Sequence, residues 1–169
     1  MFKIEKENLR IPIDPLLNTA LVLAGVAVSR GFEVSAAGRI TDQWSITVGY
    51  SHLDTEIVKT TNRAEIGREL PNAPSDSFSL WTTYDVTPQW TVGGGALYQS
   101  DTFVNTTNTA YVPEFWRFDL MTSYKITPKM LVQLNIYNLT DELYYAQYYS
   151  GHAVPAAGRY ASLSLRTRW

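Results

Sequence analysis

Ile40-Thr41-Asp42-Gln43-Trp44, Val86-Thr87-Pro88-Gln89-Trp90 and Ile126-Thr127-Pro128-Lys129-Met130 are three versions of one short polar turn, each set between two segments of alternating apolar and polar residues. They recur 46 and then 40 residues apart, from Trp44 to Trp90 to Met130. Hairpins closed so tightly at one end must carry much longer connections at the other. Short turns opposite long loops are the pattern of an outer-membrane β-barrel.

Successive side chains of a strand point to opposite faces, so the alternation says what each face meets. Trp44, Ile46, Val48 and Tyr50 form an apolar file, and Ser45, Thr47, Gly49 and Ser51 a small polar one. Phe78, Leu80, Thr82 and Tyr84 repeat this against Ser77, Ser79, Trp81 and Thr83; Trp90, Val92, Gly94, Ala96 and Tyr98 do so against Thr91, Gly93, Gly95, Leu97 and Gln99. Further on, Trp116 through Ile126 places Arg117, Asp119 and Lys125 on the polar file, which predicts water on that side. Met130, Val132, Leu134 and Ile136 continue the apolar file, and Leu163 and Leu165 close it. Aromatic residues stand at both ends of these files: Trp44 and Tyr50, Trp90 and Tyr98, Trp116 and Tyr124. Paired aromatic girdles at the two membrane interfaces have this form. A soluble sandwich would bury similar apolar files, but the asymmetry of turns and loops and the aromatic ends favour the membrane.

Composition agrees. The 169 residues include eleven Tyr, five Trp and no Cys, with a net charge of -2. Mean hydropathy is only -0.16, as expected when alternate residues alone face lipid. A membrane-spanning helix needs about 20 apolar residues; the longest candidate run, Ala20 to Val28, is too short. Without cysteine there is no disulfide or thiolate chemistry, and no basic patch points to nucleic acid. The start, Met1 to Asn8, lacks the pattern of a secretory signal. The expectation is a trimmed start or, preferably, the tail of a longer reading frame.

Arg30-Gly31-Phe32-Glu33-Val34, Val48-Gly49-Tyr50-Ser51-His52-Leu53-Asp54, and Leu70-Pro71-Asn72-Ala73-Pro74 ahead of Ser79-Leu80-Trp81-Thr82-Thr83-Tyr84 resemble the carboxy-terminal barrel of TonB-dependent siderophore receptors. So does Asn135-Ile136-Tyr137-Asn138-Leu139-Thr140-Asp141-Glu142-Leu143-Tyr144-Tyr145, which is similar to the family's penultimate strand and its step into the last loop. The resemblance runs from about Phe2 to the end and is strongest toward catecholate and ferrichrome-type receptors. It implies an all-β fold: about eight strands of an antiparallel up-and-down transmembrane barrel of 22 strands. Those strands are expected to begin near Phe2, Val26, Trp44, Ser77, Trp90, Trp116, Met130 and Arg159. One unit, 1–169, makes up this barrel portion, and the plug domain lies outside it.

The resemblance further implies a bacterial outer-membrane receptor that is no enzyme and binds no cofactor directly, with a ferric siderophore as its transported ligand. Its partners would be outer-membrane lipid, the TonB system through the plug, and the β-barrel assembly machinery. The last is expected to read Leu163, Leu165 and Trp169 as a terminal sorting signal; the family's usual last residue is phenylalanine. Extracellular segments are expected at Leu53 to Ser75, Ser100 to Pro113 and Tyr144 to Ala157. A bulky, often anionic iron chelate calls for cationic and aromatic side chains, so the ligand-binding candidates are Arg63, Arg68, Tyr144, Tyr145, Tyr148, Tyr149 and His152.

Other features carry less. Asp54 with Glu56, and Asp141 with Glu142, read as solvated loop charge. Two histidines without cysteine or an HExxH pattern make a zinc site a poor reading, and His52 is expected near an interface. Gly93-Gly94-Gly95 has no following helix or lysine and is no phosphate loop. The sequon-like Asn105-Thr106-Thr107 and Asn138-Leu139-Thr140 carry no weight in a bacterial outer-membrane protein. The alternative is a complete eight-stranded OmpA-type barrel with a structural or adhesive role, although its narrow interior would be underfilled by Ser45, Gly49, Ser79, Gly93 and Gly95. An outer-membrane enzyme would need convergent acid, base and nucleophile, and no such set stands out.

Overall fold

The structure is a computed structural model that describes residues 1–12, 21–149 and 152–168. Eight strands form one antiparallel sheet: β1 (Phe2–Pro12), β2 (Leu21–Arg39), β3 (Trp44–Lys59), β4 (Asp76–Asp85), β5 (Trp90–Gln99), β8 (Phe115–Thr127), β9 (Met130–Tyr137) and β12 (Tyr160–Thr167). Their order in the sheet is their order in the chain. The missing numbers belong to two small hairpins set into the long loops, β6 (Thr102–Phe103) with β7 (Tyr111–Val112) and β10 (Tyr145–Tyr149) with β11 (His152–Pro155).

The three short turns are built by their threonines. Thr41 Oγ1 accepts from the backbone N–H groups of Gln43 (3.3 Å) and Trp44 (3.1 Å), and Thr87 Oγ1 from those of Gln89 (3.2 Å) and Trp90 (3.0 Å). Thr127 Oγ1 accepts from Lys129 N–H at 3.3 Å. A hydroxyl that captures the amides two and three residues on fixes a tight reversal without glycine.

Between turn and loop ends the register aligns the apolar files of all these strands on one face. Val34, Tyr50, Phe78, Tyr98 and Trp116 are direct cross-strand partners in one row toward the loops. The Tyr98 and Trp116 rings lie 4.7 Å apart and those of Phe78 and Trp116 5.9 Å apart. Near the turns, Trp44 faces Tyr84 and Trp90 faces Tyr124. Each indole N–H reaches diagonally to a threonine on the next strand: Trp44 to Thr82 (2.7 Å) and Trp90 to Thr122 (2.8 Å). The same Trp-Thr-Tyr triplet thus occurs in two successive hairpins. From Trp90 to Tyr98 is eight residues, or about 27 Å along the strand. On the other face, Gly95 lies opposite Trp81, and a Cβ there would stand 2.5 Å from the indole. Glycine at this position leaves the bulky ring its room.

Two expected boundaries move. β2 begins at Leu21 rather than near Val26, and β3 runs through Leu53 to Lys59, where the sequence suggested a loop. The β2–β3 ladder extends from Arg39↔Ser45 up to Val26↔Lys59, whereas β4 leaves β3 at His52↔Asp76. Beyond that point the loop itself covers the free edge of β3: Leu53 N–H donates to Ser75 O (2.8 Å), Ile57 N–H to Arg68 O (2.8 Å) and Gly67 N–H to Ile57 O (2.9 Å). Asp54 and Glu56 therefore lie in a strand, not in a loop, and Asp54 approaches Arg30 at 4.0 Å.

Burial is confined to the loop end. Gly25, Ala27, Val28, Thr55, Ile57, Ser100, Thr102, Val112, Phe115 and Asn138 are the buried residues among those described. The apolar file, by contrast, stays open, with Leu163 and Leu165 73% and 62% exposed. An apolar sheet face with no protein cover suits lipid as its solvent. Trp169, the last residue of the expected terminal signal, lies outside the described residues.

Candidate functional site

The loop end is made by three connections. In the first, a 3-10 turn (Arg63–Glu65) is capped by Asn62, whose side chain accepts from Ala64 N–H at 3.2 Å. Glu65 gathers Thr60 (3.0 Å), Asn62 (3.2 Å) and, from the second connection, Thr106 (2.8 Å). Asn108 adopts a left-handed φ of 55° and clasps Glu69 both ways, accepting from its N–H at 2.8 Å and donating to its carbonyl at 3.1 Å. Asn72 N–H donates to Phe103 O at 2.8 Å. The first two loops are thus one hydrogen-bonded body. Arg63 and Arg68 are exposed on it, and neither side chain is engaged by another described residue.

The third connection, carrying β10 and β11, is tied to the polar face of the sheet. The Tyr144 ring stacks on Phe115 with centroids 4.5 Å apart, and its hydroxyl accepts from Arg117 Nη1 at 3.1 Å. Tyr148 is held by Gln99, whose Nε2 donates to the phenol at 2.7 Å. Arg117 also pairs with Asp119, Nη2 to Oδ2 at 2.9 Å, while its buried Nε has no hydrogen-bond partner. Asp119 accepts in turn from Asn138 N–H at 2.9 Å.

Asn138 is the pivot of this network. Its φ is 53° and it is 1% exposed. Its side chain accepts from Glu142 N–H (2.9 Å) and donates to Glu142 O (2.9 Å) and Ala157 O (3.4 Å). Asp141, at φ 58°, accepts from Arg159 N–H at 2.7 Å and so pins the start of β12. Asparagine and aspartate tolerate this left-handed conformation better than other side-chain-bearing residues.

Of the residues singled out from sequence, then, Tyr144 and Tyr148 come together on the wall, and Arg63 and Arg68 share a separate loop body. No described hydrogen bond or ring contact joins the two groups. Tyr145 is half-buried at the start of β10, and His152 is exposed on β11. Tyr149 pairs through its backbone with His152, and its side chain lies outside the described residues.

Three sequence readings change here. Arg117 and Asp119, expected to face water, are paired with each other, and Tyr144 lies over the Arg117 guanidinium. Asp141, read as solvated charge, is a backbone clamp. Asn138, given no weight, holds the base of the last loop. The signals were two opposite charges two apart on an otherwise small polar file, and an Asn-x-x-Asp step after a strand. His52 pairs with Asp76 at 2.9 Å, and the same carboxylate accepts from Tyr50 Oη at 2.6 Å, just loopward of the aromatic row.

Residues 2–139 match the family model described as "TonB dependent receptor-like, beta-barrel". The chain is 37% identical over 180 residues to "Probable TonB-dependent siderophore receptor PiuA" of Acinetobacter baumannii, an alignment covering 100% of this chain and 24% of that one. It is 35% identical over 123 residues to "Catecholate siderophore receptor Fiu" of Escherichia coli K12, covering 69% of this chain and 16% of the relative. Among solved structures, the crystal structure of PiuA from A. baumannii superposes with a TM-score of 0.91 at 38% identity, over 98% of this chain and 25% of that one. The closed form of Fiu from E. coli K12 superposes with a TM-score of 0.82 at 27% identity, over 98% and 24%. The chain spans about a quarter of the length of PiuA.

Proposed function

The chain belongs to the TonB-dependent receptor β-barrel family, and from that premise we propose that it is the carboxy-terminal wall and outer-loop portion of an outer-membrane ferric-siderophore receptor, the plug lying outside it. The observation that carries this reading is the union of a two-faced sheet with loops tied to its polar face at one end, through Arg117 to Tyr144 and Gln99 to Tyr148. The apolar face meets lipid, and the rows that hold Tyr50, Tyr98 and Trp116, and Trp44, Trp90 and Tyr124, sit at its two interfaces. The polar face lines the lumen.

At the mouth, Arg63 and Arg68 supply unpaired positive charge, and Tyr144, Tyr145, Tyr148, Tyr149 and His152 supply ring surface and polar tips for an iron chelate. The cargo is a ferric siderophore, transport is coupled to TonB through the plug, and Leu163, Leu165 and Trp169 form the signal for the assembly machinery. The work of such a receptor is binding and passage, with no bond made or broken in the ligand. A self-closed eight-stranded barrel is not favoured: β1 and β12 are the opposite edges of the described sheet and do not pair. The relatives' names support the siderophore reading over a structural one.

The test is a graft in which residues 2–168 replace the matching wall of PiuA, expressed in an iron-starved strain lacking its own catecholate receptors. Uptake of a ferric catecholate, lost when Tyr144 and Tyr148 are changed to Ala together with Arg63→Gln and Arg68→Gln, supports the proposal. A graft that inserts into the outer membrane yet takes up iron equally well with and without these changes sinks the assigned residues. An inserted graft that takes up no ferric siderophore of any class sinks the function.

A further inference from the structure

At the short-turn end of the sheet a cavity of about 200 Å³ opens between the β8–β9 turn and the end of β12. Among the described residues its charged lining is wholly cationic: Lys125, Lys129, Arg166 and Arg168. The backbone holds these charges in place. Lys125 and Arg166 both face Leu131 in one cross-strand row, and Arg168 N–H donates to Lys129 O at 2.9 Å. Lys125 Nζ donates to Pro88 O at 3.2 Å, and none of the four cations is in an ion pair among the described residues. Asp85, a carboxylate on the same face toward this end, is engaged by the Thr91 hydroxyl at 2.6 Å. A chain of net charge -2 has no compositional reason to gather four cations here.

We propose that this cavity is an oxyanion site that seats a carboxylate or phosphate group on the lumen-facing wall. Lys125 and Arg166 belong to the polar file, opposite the file of Val132 and Leu165, so the anion arrives from the lumen and not from the bilayer. Charge-assisted hydrogen bonds from two ammonium and two guanidinium groups suit an oxyanion with several acceptor oxygens. The inference is independent of which siderophore is carried. The group is either a free anion or an acidic side chain of polypeptide within the lumen.

The experiment is lysine acylation footprinting by mass spectrometry on the purified graft receptor in detergent, with and without inorganic pyrophosphate. Lys59, at the far end of β3, is the internal reference, and heat-modifiable migration verifies that each variant is folded. Pyrophosphate is expected to slow labelling of Lys125 and Lys129 about threefold or more, with the protection lost in Arg166→Gln/Arg168→Gln. Slow labelling without the probe, released by the same double variant or by high salt, equally supports the site and identifies a polypeptide carboxylate as its occupant. Labelling of Lys125 and Lys129 that matches Lys59 under every condition and in every variant overturns it.

Discussion

The band between the two aromatic rows and the loop end beyond it are built on opposite plans. In the band, ladder hydrogen bonds join every neighbour in register, yet few residues are buried; Leu120 is 42% exposed and Phe118 39%. At the loop end the ladders give way to side-chain clasps, positive-φ asparagines at 72, 108 and 138, and nearly all the burial among the described residues. The band takes its stability from the solvent it is placed in, because lipid rewards the apolar file and leaves no alternative partner for the backbone. The loop end carries its own small core and polar network, as a structure standing in water must.

Substitutions in the two regions should therefore fail differently. The largest effect is expected from Leu120→Arg in the apolar file, costing roughly 2–4 kcal/mol near the bilayer midplane. Ser79→Arg on the polar file should cost little. Urea unfolding of the graft in lipid vesicles compares the two, and equal losses would break the distinction between faces. Next comes Asn138→Ala, which removes three side-chain hydrogen bonds and disfavours the left-handed backbone, at about 2–3 kcal/mol. Hydrogen exchange should show loss of protection localised to 138–142 and 157–159, with the band unchanged. Asn138→Gly sharpens this by restoring the backbone term alone.

A smaller loss, about 1–3 kcal/mol, follows from Asp119→Ala, which strands the partly covered Arg117 guanidinium and frees Asn138 N–H. Limited proteolysis should then cut 144–157 faster while the sheet stays intact. The smallest change is Thr87→Ala, roughly 0.5–1.5 kcal/mol for two weak turn bonds, read as a shift in unfolding midpoint. Thr41→Ala should match it, since the two turns share their geometry.

The same contrast explains how much was legible in the sequence. A strand's period of two is printed directly in residues such as Trp44 to Tyr50 and Trp90 to Tyr98, so seven of the eight sheet strands begin within one residue of expectation.

 Over the whole sheet β2 is the strand whose start departs, because its extra residues, Leu21 to Gly25, pair with Leu9 to Pro12 of β1. Nothing local in Leu21 to Gly25 marks that ladder; it is set by where a neighbouring strand ends. The loop end was opaque for a related reason. Asn138 meets Asp119 across 19 residues and Arg117 meets Tyr144 across 27, and a pattern of alternation says nothing of such meetings. The tyrosines of the last loop could be picked out as a cluster, but that Gln99 and Arg117 hold two of them depends on how the loop folds back over the wall.

The central claim is that one face of this sheet meets lipid and the other the lumen. The chain has no cysteine, so single cysteines at Thr91, Val92, Ala96 and Leu97 on β5, in a graft whose host portion is also cysteine-free, can each carry a fluorophore. Quenching by brominated lipid is the measurement. Strong quenching at Val92 and Ala96 with little at Thr91 and Leu97 is the predicted result, and quenching that does not alternate along β5 would contradict the account.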